Sequence, residues 1–195
     1  MNTFNVTFIN TASPEVGGAI YASNSTYYST NDKFTDNSAK DGGSALFASS
    51  SRVNINNATF TNKNPIKWSL IYGSNSFINV SDTTFANSTS RYATAIYNMG
   101  TTQITRSKFI NLRANATGGA IAVKGDDEKG FALLSINDCE FTNITAGRNG
   151  GAIFADIAAC SDTRGKGIVE IRNTAFNKNT AEFEGAILQL GEHLV

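Results

Sequence analysis

Apolar and polar residues follow one another in short units that recur seven times along the chain. Each unit has a phenylalanine and, 11 or 12 residues later, an aliphatic residue that ends a run of small residues. The phenylalanines are Phe8, Phe34, Phe60, Phe85, Phe109, Phe141 and Phe176, and the aliphatic residues are Ile20, Leu46, Ile71, Ile96, Ile121, Ile153 and Ile187. Such a period is typical of a solenoid, whose units stack because none can bury its apolar face alone. We predict that both columns form its core.

Two further columns predict tight bends on either side of the phenylalanine. Asparagine or aspartate lies three residues before it in every unit except one, which has Arg106. Asparagine follows it after two residues in five units, and after three residues at Asn37 and Asn179. Both residue types tolerate left-handed backbone. Stacked amides can also hydrogen-bond along the axis of a solenoid.

The remaining pattern predicts strands and no helix. Apolar residues alternate before most phenylalanines, as at Val53 and Ile55, which indicates a strand with one buried face. No window keeps a helical period, and a leucine-rich repeat would need the L-x-x-L-x-L-x-x-N spacing, usually with a helical wall. We predict an all-β parallel β-helix of about seven coils, with residues 1–195 forming one domain. Neither end resembles a cap, which favours a piece of a longer array that self-associates through its uncapped ends.

Composition and charge narrow the function classes. The chain has 195 residues and is 41% hydrophobic, enough for one domain with a core. Sixteen basic and sixteen acidic residues cancel, so neither nucleic acid nor an anionic membrane is an expected partner. No apolar run is long enough for a direct membrane span, and the opening residues lack a secretory signal. With two cysteines, Cys139 and Cys160, a disulfide and two free thiols are both open.

The phenylalanine with its asparagine, and runs such as Gly118-Gly119-Ala120-Ile121, resemble the repeat of chlamydial polymorphic outer membrane proteins. They are also similar to adhesin-like surface proteins of methanogenic archaea. Phe34-Thr35-Asp36-Asn37 and Phe176-Asn177-Lys178-Asn179 fit the F-x-x-N form, and the other five units show F-x-N. The resemblance implies a right-handed parallel β-helix that is exported to the cell surface and often concerned with adhesion. It implies no catalytic residues, because the shared motifs build coils.

Catalytic chemistry has little support in the sequence. Several carbohydrate lyases and hydrolases use the right-handed β-helix, so an enzyme is an alternative. A hydrolase would need clustered aspartates, a histidine and basic residues along one groove, and the single histidine, His193, is almost at the end of the chain. Asp126, Asp127 and Glu128 could attract calcium, but three adjacent acids on a loop rarely converge on one cation. We predict no catalytic residue, no metal and no cofactor.

Two regions are candidate ligand-binding surfaces. Insertions at residues 124–131 and 156–166 follow two aliphatic strands and bring Asp126, Asp127 and Asp156 to one edge, although tolerated surface insertions explain them equally well. The residues directly after the first four aliphatic positions are aromatic: Tyr21, Phe47, Tyr72 and Tyr97. If the aliphatic residues face inward, these aromatic residues form an exposed strip for sugar rings. We favour this parity over the opposite one because the aliphatic column has no polar exception.

We therefore predict a noncatalytic, adhesin-like segment at the cell surface or outside the cell. Its partners would be glycans or proteins on a host or neighbouring cell, or it would act as a stalk. The two alternatives are a polysaccharide-active lyase or hydrolase and a purely structural spacer.

Overall fold

The computed structural model describes residues 1–125, 132–156 and 167–190. In these ranges the protein is all β, without a helix, and its parallel strands stack from one coil to the next. The fold is a parallel β-helix, as the period predicts. The leucine-rich alternative fails because none of the described connections forms a helical wall.

Two large sheets and one short sheet form the walls of the described coils. The first, which we call the wide sheet, contains Asn2–Phe4, Ile20–Ser23, Thr26–Thr30, Leu46–Ser49, Arg52–Asn56, Ile71–Ser81, Ile96–Thr105, Ile121–Lys124, Leu133–Asn137, Ile153–Asp156, Ile168–Arg172 and Leu188–Leu190. The second, the phenylalanine sheet, contains Thr7–Ile9, Lys33–Thr35, Thr59–Thr61, Thr84–Ser90, Lys108–Ala114, Glu140–Ala146, Ala175–Asn177 and Thr180–Ala181. The short sheet pairs Ala12–Ser13 with Ser38–Ala39.

The seven phenylalanines form one continuous stack inside the phenylalanine sheet. Each is paired in register with the next, from Phe8 to Phe176. Neighbouring ring centroids are 4.4 to 5.1 Å apart, and the ring planes differ by at most 14°. The five between the first and the last are no more than 1% exposed. The coils are thus joined by ring stacking inside the core as well as by pairing of their strands.

The aliphatic column faces the same core, with one correction in the last coil. Ile153 pairs with Leu188, and the N–H groups of Ala152 and Ile153 both donate to the carbonyl of Ile187. Ile187 therefore holds the position that alanine holds in the preceding coil, and it is 44% exposed. The prediction of Ile187 as a core residue is wrong by one residue, because Leu188 restores the spacing of 12 residues found in coils such as Phe141 to Ile153.

The first predicted bend has left-handed backbone in all seven coils. Its φ angles lie between 46° and 58° at Asn5, Asn31, Asn57, Asp82, Arg106, Asp138 and Asn173. Arg106 is the one residue at this bend without a short polar side chain. It forms a bidentate ion pair with Asp82 of the preceding coil, with both N···O distances at 2.7 Å. This guanidinium lowers the pKa of the Asp82 carboxyl by hydrogen bonding.

The second asparagine column divides into two structural positions. Left-handed residues form the outer position: Asn10, Asp36, Asn87, Asn111, Asn143 and Lys178. Here the amide of Asn143 donates to Asn111, and that of Asn111 donates to Asn87, so the predicted amide ladder lies on the solvent side. The inner position holds Asn37 and Asn179 of the two F-x-x-N units, and also Asn62, because its coil has no left-handed residue there.

The inner asparagine bridges two backbone groups of the preceding coil. Asn37 accepts a hydrogen bond from the N–H of Thr11 at 3.1 Å and donates to the carbonyl of Phe8 at 3.2 Å. Asn179 makes the same pair of bonds to Ile144 and Phe141, at 3.1 and 3.1 Å. The F-x-x-N motif is thus a device that satisfies buried backbone groups at a corner.

Cys139 belongs to a column of small polar residues just after the first bend. The hydroxyl of Ser107 accepts from the N–H of Thr83, and the N–H of Ser107 in turn donates to the sulfur of Cys139 at 3.5 Å. Burial raises the pKa of the Cys139 thiol. The thiol occupies a hydroxyl position of the corner. Cys160 lies outside the described residues, so a disulfide and two free thiols both remain open.

Candidate functional site

The aliphatic residues face inward and their aromatic neighbours face outward, as the favoured parity predicts. Ile20 is 6% exposed and Leu46, Ile71 and Ile96 are fully buried. Tyr21, directly after Ile20, is 58% exposed. Phe47, Tyr72 and Tyr97 are half-buried at the same position of the following coils. Because side chains alternate across a strand, one sheet supplies both the core and this surface.

These four rings form a ladder on the outside of the wide sheet, which we call the aromatic strip. Tyr21 pairs in register with Phe47, Phe47 with Tyr72, and Tyr72 with Tyr97. Their ring centroids are 5.8, 5.2 and 5.0 Å apart, all in stacked geometry. The inner rings cover one another's faces, so the strip presents ring edges and a row of phenol hydroxyls. It ends where the paired residue is Ala122, which is 3% exposed.

A second pair of rings widens the strip at its centre. Trp68 meets the edge of Tyr72 with centroids 5.8 Å apart and stacks on Tyr92 at 5.2 Å. Arg91 in turn lies 5.1 Å from the centre of the Tyr92 ring. The indole N–H of Trp68 is buried and donates to no acceptor in the described part of the chain. A buried donor without a partner is uncommon in proteins, where such groups are usually hydrogen-bonded.

The sequence analysis missed Trp68 and Tyr92 as parts of a surface. Five coils have left-handed glycines before the aliphatic strand, at Gly17, Gly43, Gly118, Gly150 and Gly185. The third and fourth coils have Trp68 and Ala93 at the glycine position, and Tyr92 directly precedes Ala93, so two large aromatic side chains lie at this corner. The loss of glycine in those two adjacent units was the signal that could have identified the pair.

Tyr97 is largely shielded from water and lies near the acidic side chain of Asp156. Burial raises the pKa of Tyr97 to about 12, and the nearby Tyr72, Asp156 and Tyr92 side chains oppose its ionisation further. Burial also raises the pKa of Tyr72. The strip therefore offers neutral phenols, which both donate and accept hydrogen bonds, throughout the physiological pH range.

We expect the free energy of unfolding of the Tyr97→Phe variant to fall less with rising alkaline pH than that of the parent. The folded state holds the Tyr97 proton more tightly than the unfolded chain, whose phenol titrates near pH 10. The resulting stability is complete below pH 10 and is lost as the pH rises towards 12. Urea denaturation at several pH values in this window should show a steeper decline for the parent than for Tyr97→Phe.

Phe47→Leu provides the control for this titration, because it removes a ring of the strip without removing an ionisable group. It should lower stability by a similar amount at each pH and keep the parental slope. Parallel pH profiles for the parent and Tyr97→Phe would contradict the assignment.

The predicted acidic candidates are only partly described. Asp156 is 8% exposed, and its carboxylate lies 3.9 Å from the ammonium of Lys124 on the paired strand. The strands Ile121–Lys124 and Ile153–Asp156 are paired, and the N–H of Gly125 donates to the carbonyl of Asp156 at 2.9 Å, so the two predicted insertions follow strands of adjacent coils. Asp126 and Asp127 lie outside the described residues, and their role in ligand binding stays a prediction.

The described ranges contain no group of three or more histidine, cysteine, aspartate or glutamate side chains placed to hold a metal ion. A search of the same ranges found no helix with the length and apolar character of a membrane span.

A comparison with known protein families matches one segment of the chain. The sequence model of the Chlamydia polymorphic membrane protein repeat matches residues 138–156. This segment runs from the left-handed bend at Asp138 through Phe141 and the Gly150-Gly151-Ala152-Ile153 run to the end of the strand Ile153–Asp156, which is part of one coil of the helix. The resemblance to polymorphic outer membrane protein repeats is thereby confirmed for that coil. No curated protein and no solved structure matches the chain.

Proposed function

We propose that this chain is a noncatalytic, adhesin-like segment of a surface protein, and that the aromatic strip with Trp68 and Tyr92 binds glycans of a host or neighbouring cell. The observation that carries the proposal is the row of stacked, outward-facing rings on four consecutive coils. Isolated exposed aromatic residues are common on protein surfaces, whereas a continuous patch of them usually marks an interaction site.

The chemistry of the strip suits a neutral, hydroxyl-rich ligand. Ring edges offer apolar area, and the hydroxyls of Tyr21, Tyr72 and Tyr97 offer donors and acceptors at the spacing of the coils. The chain carries no net charge, so attraction at long range plays no part in the contact.

The repeat match supports a surface location. It is a match to a repeat of membrane proteins of Chlamydia, and it falls on the element that builds the coil. A stiff rod of coils presents its outward residues at a regular spacing, so that several weak contacts act together and raise the overall avidity.

A glycan array, probed with and without calcium, tests the proposal. We expect the parent to be retained by specific glycans without turnover, and the double variant Tyr21→Ala/Tyr72→Ala to lose most of this retention. Tyr28→Ala is the matched control, because Tyr28 is 47% exposed on the wide sheet but stacks on none of the strip rings. Loss of retention in both variants alike would contradict a role for the strip.

The same array separates the two alternatives. Release of cleaved or unsaturated sugar would favour a polysaccharide-active enzyme. An absence of binding to glycans and to host-cell proteins would favour a structural spacer, and either result would overturn the proposal.

A further inference from the structure

A second surface feature lies beside the aromatic strip, at the corner where the wide sheet bends. It is a shallow groove of about 450 Å³. Its lining residues are Asn24, Ser25, Thr26, Ser50, Ser51, Arg52, Asn75 and Phe77. The corner forms because Asn24, Ser50 and Asn75 have left-handed backbone, with φ of 47°, 46° and 51°.

The floor of the groove is held rigidly by a ladder of serines. The hydroxyl of Ser51 accepts from the N–H of Ser25 at 3.1 Å, and that of Ser76 accepts from the N–H of Ser51 at 3.1 Å. Each of these hydroxyls also donates to a carbonyl two residues earlier in the chain. Above this floor, the side chains of Asn24, Ser50 and Thr26 have no hydrogen-bond partner among the described residues, so they are available to a ligand.

Arg52 is fixed in place on one side of the groove. Its guanidinium lies 4.2 Å above the centre of the Phe77 ring, which is the paired residue of the next coil. No N–H group of this guanidinium donates to a described residue, so its fork of donors remains available to a ligand. The side chain therefore loses little freedom when it binds a planar acceptor.

No acidic group of the described chain neutralises Arg52. The eight lining residues include no aspartate or glutamate, and no carboxylate of the described residues forms an ion pair with its guanidinium. The groove thus combines one preorganised cation, free amide and hydroxyl groups, and an aromatic wall.

We propose that this groove binds a carboxylated sugar residue, a uronic acid within a polysaccharide. The fork of Arg52 matches the two oxygens of a carboxylate, in a bidentate pair that a single hydroxyl cannot form. Asn24, Ser50 and Thr26 would bind the ring hydroxyls of the same sugar. The site is separate from the aromatic strip, and it adds selection for acidic glycans that the strip residues do not provide.

Calorimetric titration with three probes tests each part of the proposal. A galacturonate trisaccharide carries both the sugar and the charge, its methyl ester carries the sugar alone, and acetate carries the charge alone. We expect the trisaccharide to bind, and the ester and acetate each to bind about tenfold to hundredfold more weakly. If the ester bound as tightly as the trisaccharide, the carboxylate would have no role in binding. If acetate bound as tightly as the trisaccharide, the sugar would have none.

Variants connect the binding to the groove. Arg52→Gln should abolish the preference for the acid over the ester, and Arg52→Lys should restore it only in part, because lysine keeps the charge without the fork. Arg113→Gln is the matched control, since Arg113 is an exposed arginine on the phenylalanine sheet. Tyr21→Ala/Tyr72→Ala should leave trisaccharide binding unchanged. This variant therefore distinguishes a failure of the proposal for the aromatic strip from a failure of the proposal for the groove. An unaltered acid preference in Arg52→Gln, or no binding by the parent, would overturn the proposal.

Discussion

Replacing Phe109 by alanine should lower the free energy of unfolding by about 3–5 kcal/mol. Phe109 is fully buried, and its ring stacks between Phe85 at 5.1 Å and Phe141 at 4.4 Å. The substitution removes the ring from two coil interfaces at once and leaves a cavity between planar neighbours that cannot close over it. Urea denaturation followed by circular dichroism would measure the loss.

Phe109→Leu separates cavity formation from the loss of stacking. Leucine fills most of the space, so we expect it to cost about 1–2 kcal/mol. A loss below about 1 kcal/mol for Phe109→Ala would mean that the coils on either side are not coupled through the phenylalanine stack.

The Gly43→Ala variant should be destabilised by at least about 2 kcal/mol, because an alanine there meets two penalties. Gly43 has φ of 55°, in the left-handed region, and an added Cβ would lie 2.1 Å from the carbonyl oxygen of Leu46. That oxygen belongs to the backbone of the strand that carries the aliphatic column, so it cannot move without disturbing the core. Thermal and urea denaturation would report the change.

Gly42→Ala is the control for this prediction. Gly42 precedes Gly43 directly but lacks a left-handed φ, and its added Cβ would first meet side-chain carbon atoms of Phe47 at 3.0 Å. The half-exposed ring of Phe47 can tilt away, so the cost should be much smaller. Similar losses for the two variants would show that crowding alone, and not backbone conformation, sets the requirement for glycine at this corner.

The sequence could predict the coils because their core positions repeat in residue type. Phenylalanine at one position and aliphatic residues at another are required by burial, and the structure confirms both strands and their inward parity. Ile187 was predicted as the core residue because its type matches the aliphatic column. Leu188, however, has the spacing of 12 residues from the phenylalanine. Alignment by residue type fails where two adjacent residues are both apolar.

The corners were less predictable, because a left-handed corner requires a particular backbone conformation and not a particular residue type. Asparagine, aspartate, serine, lysine, arginine and glycine all occupy left-handed corner positions in this chain. The groove beside Arg52 depends on such a corner, and its lining residues come from three coils whose sequences share only serines. Neither its depth nor the stacking of Arg52 on Phe77 could be derived from a column of identical residues.

The direction of the backbone hydrogen bonds determines how the rod responds to tension. These bonds join each coil to the next, so they lie along the axis of the rod. Tension applied along that axis pulls on one coil interface after another in series, and the weakest interface opens first. Under load the rod would therefore lengthen in steps, as single coils separate one after another.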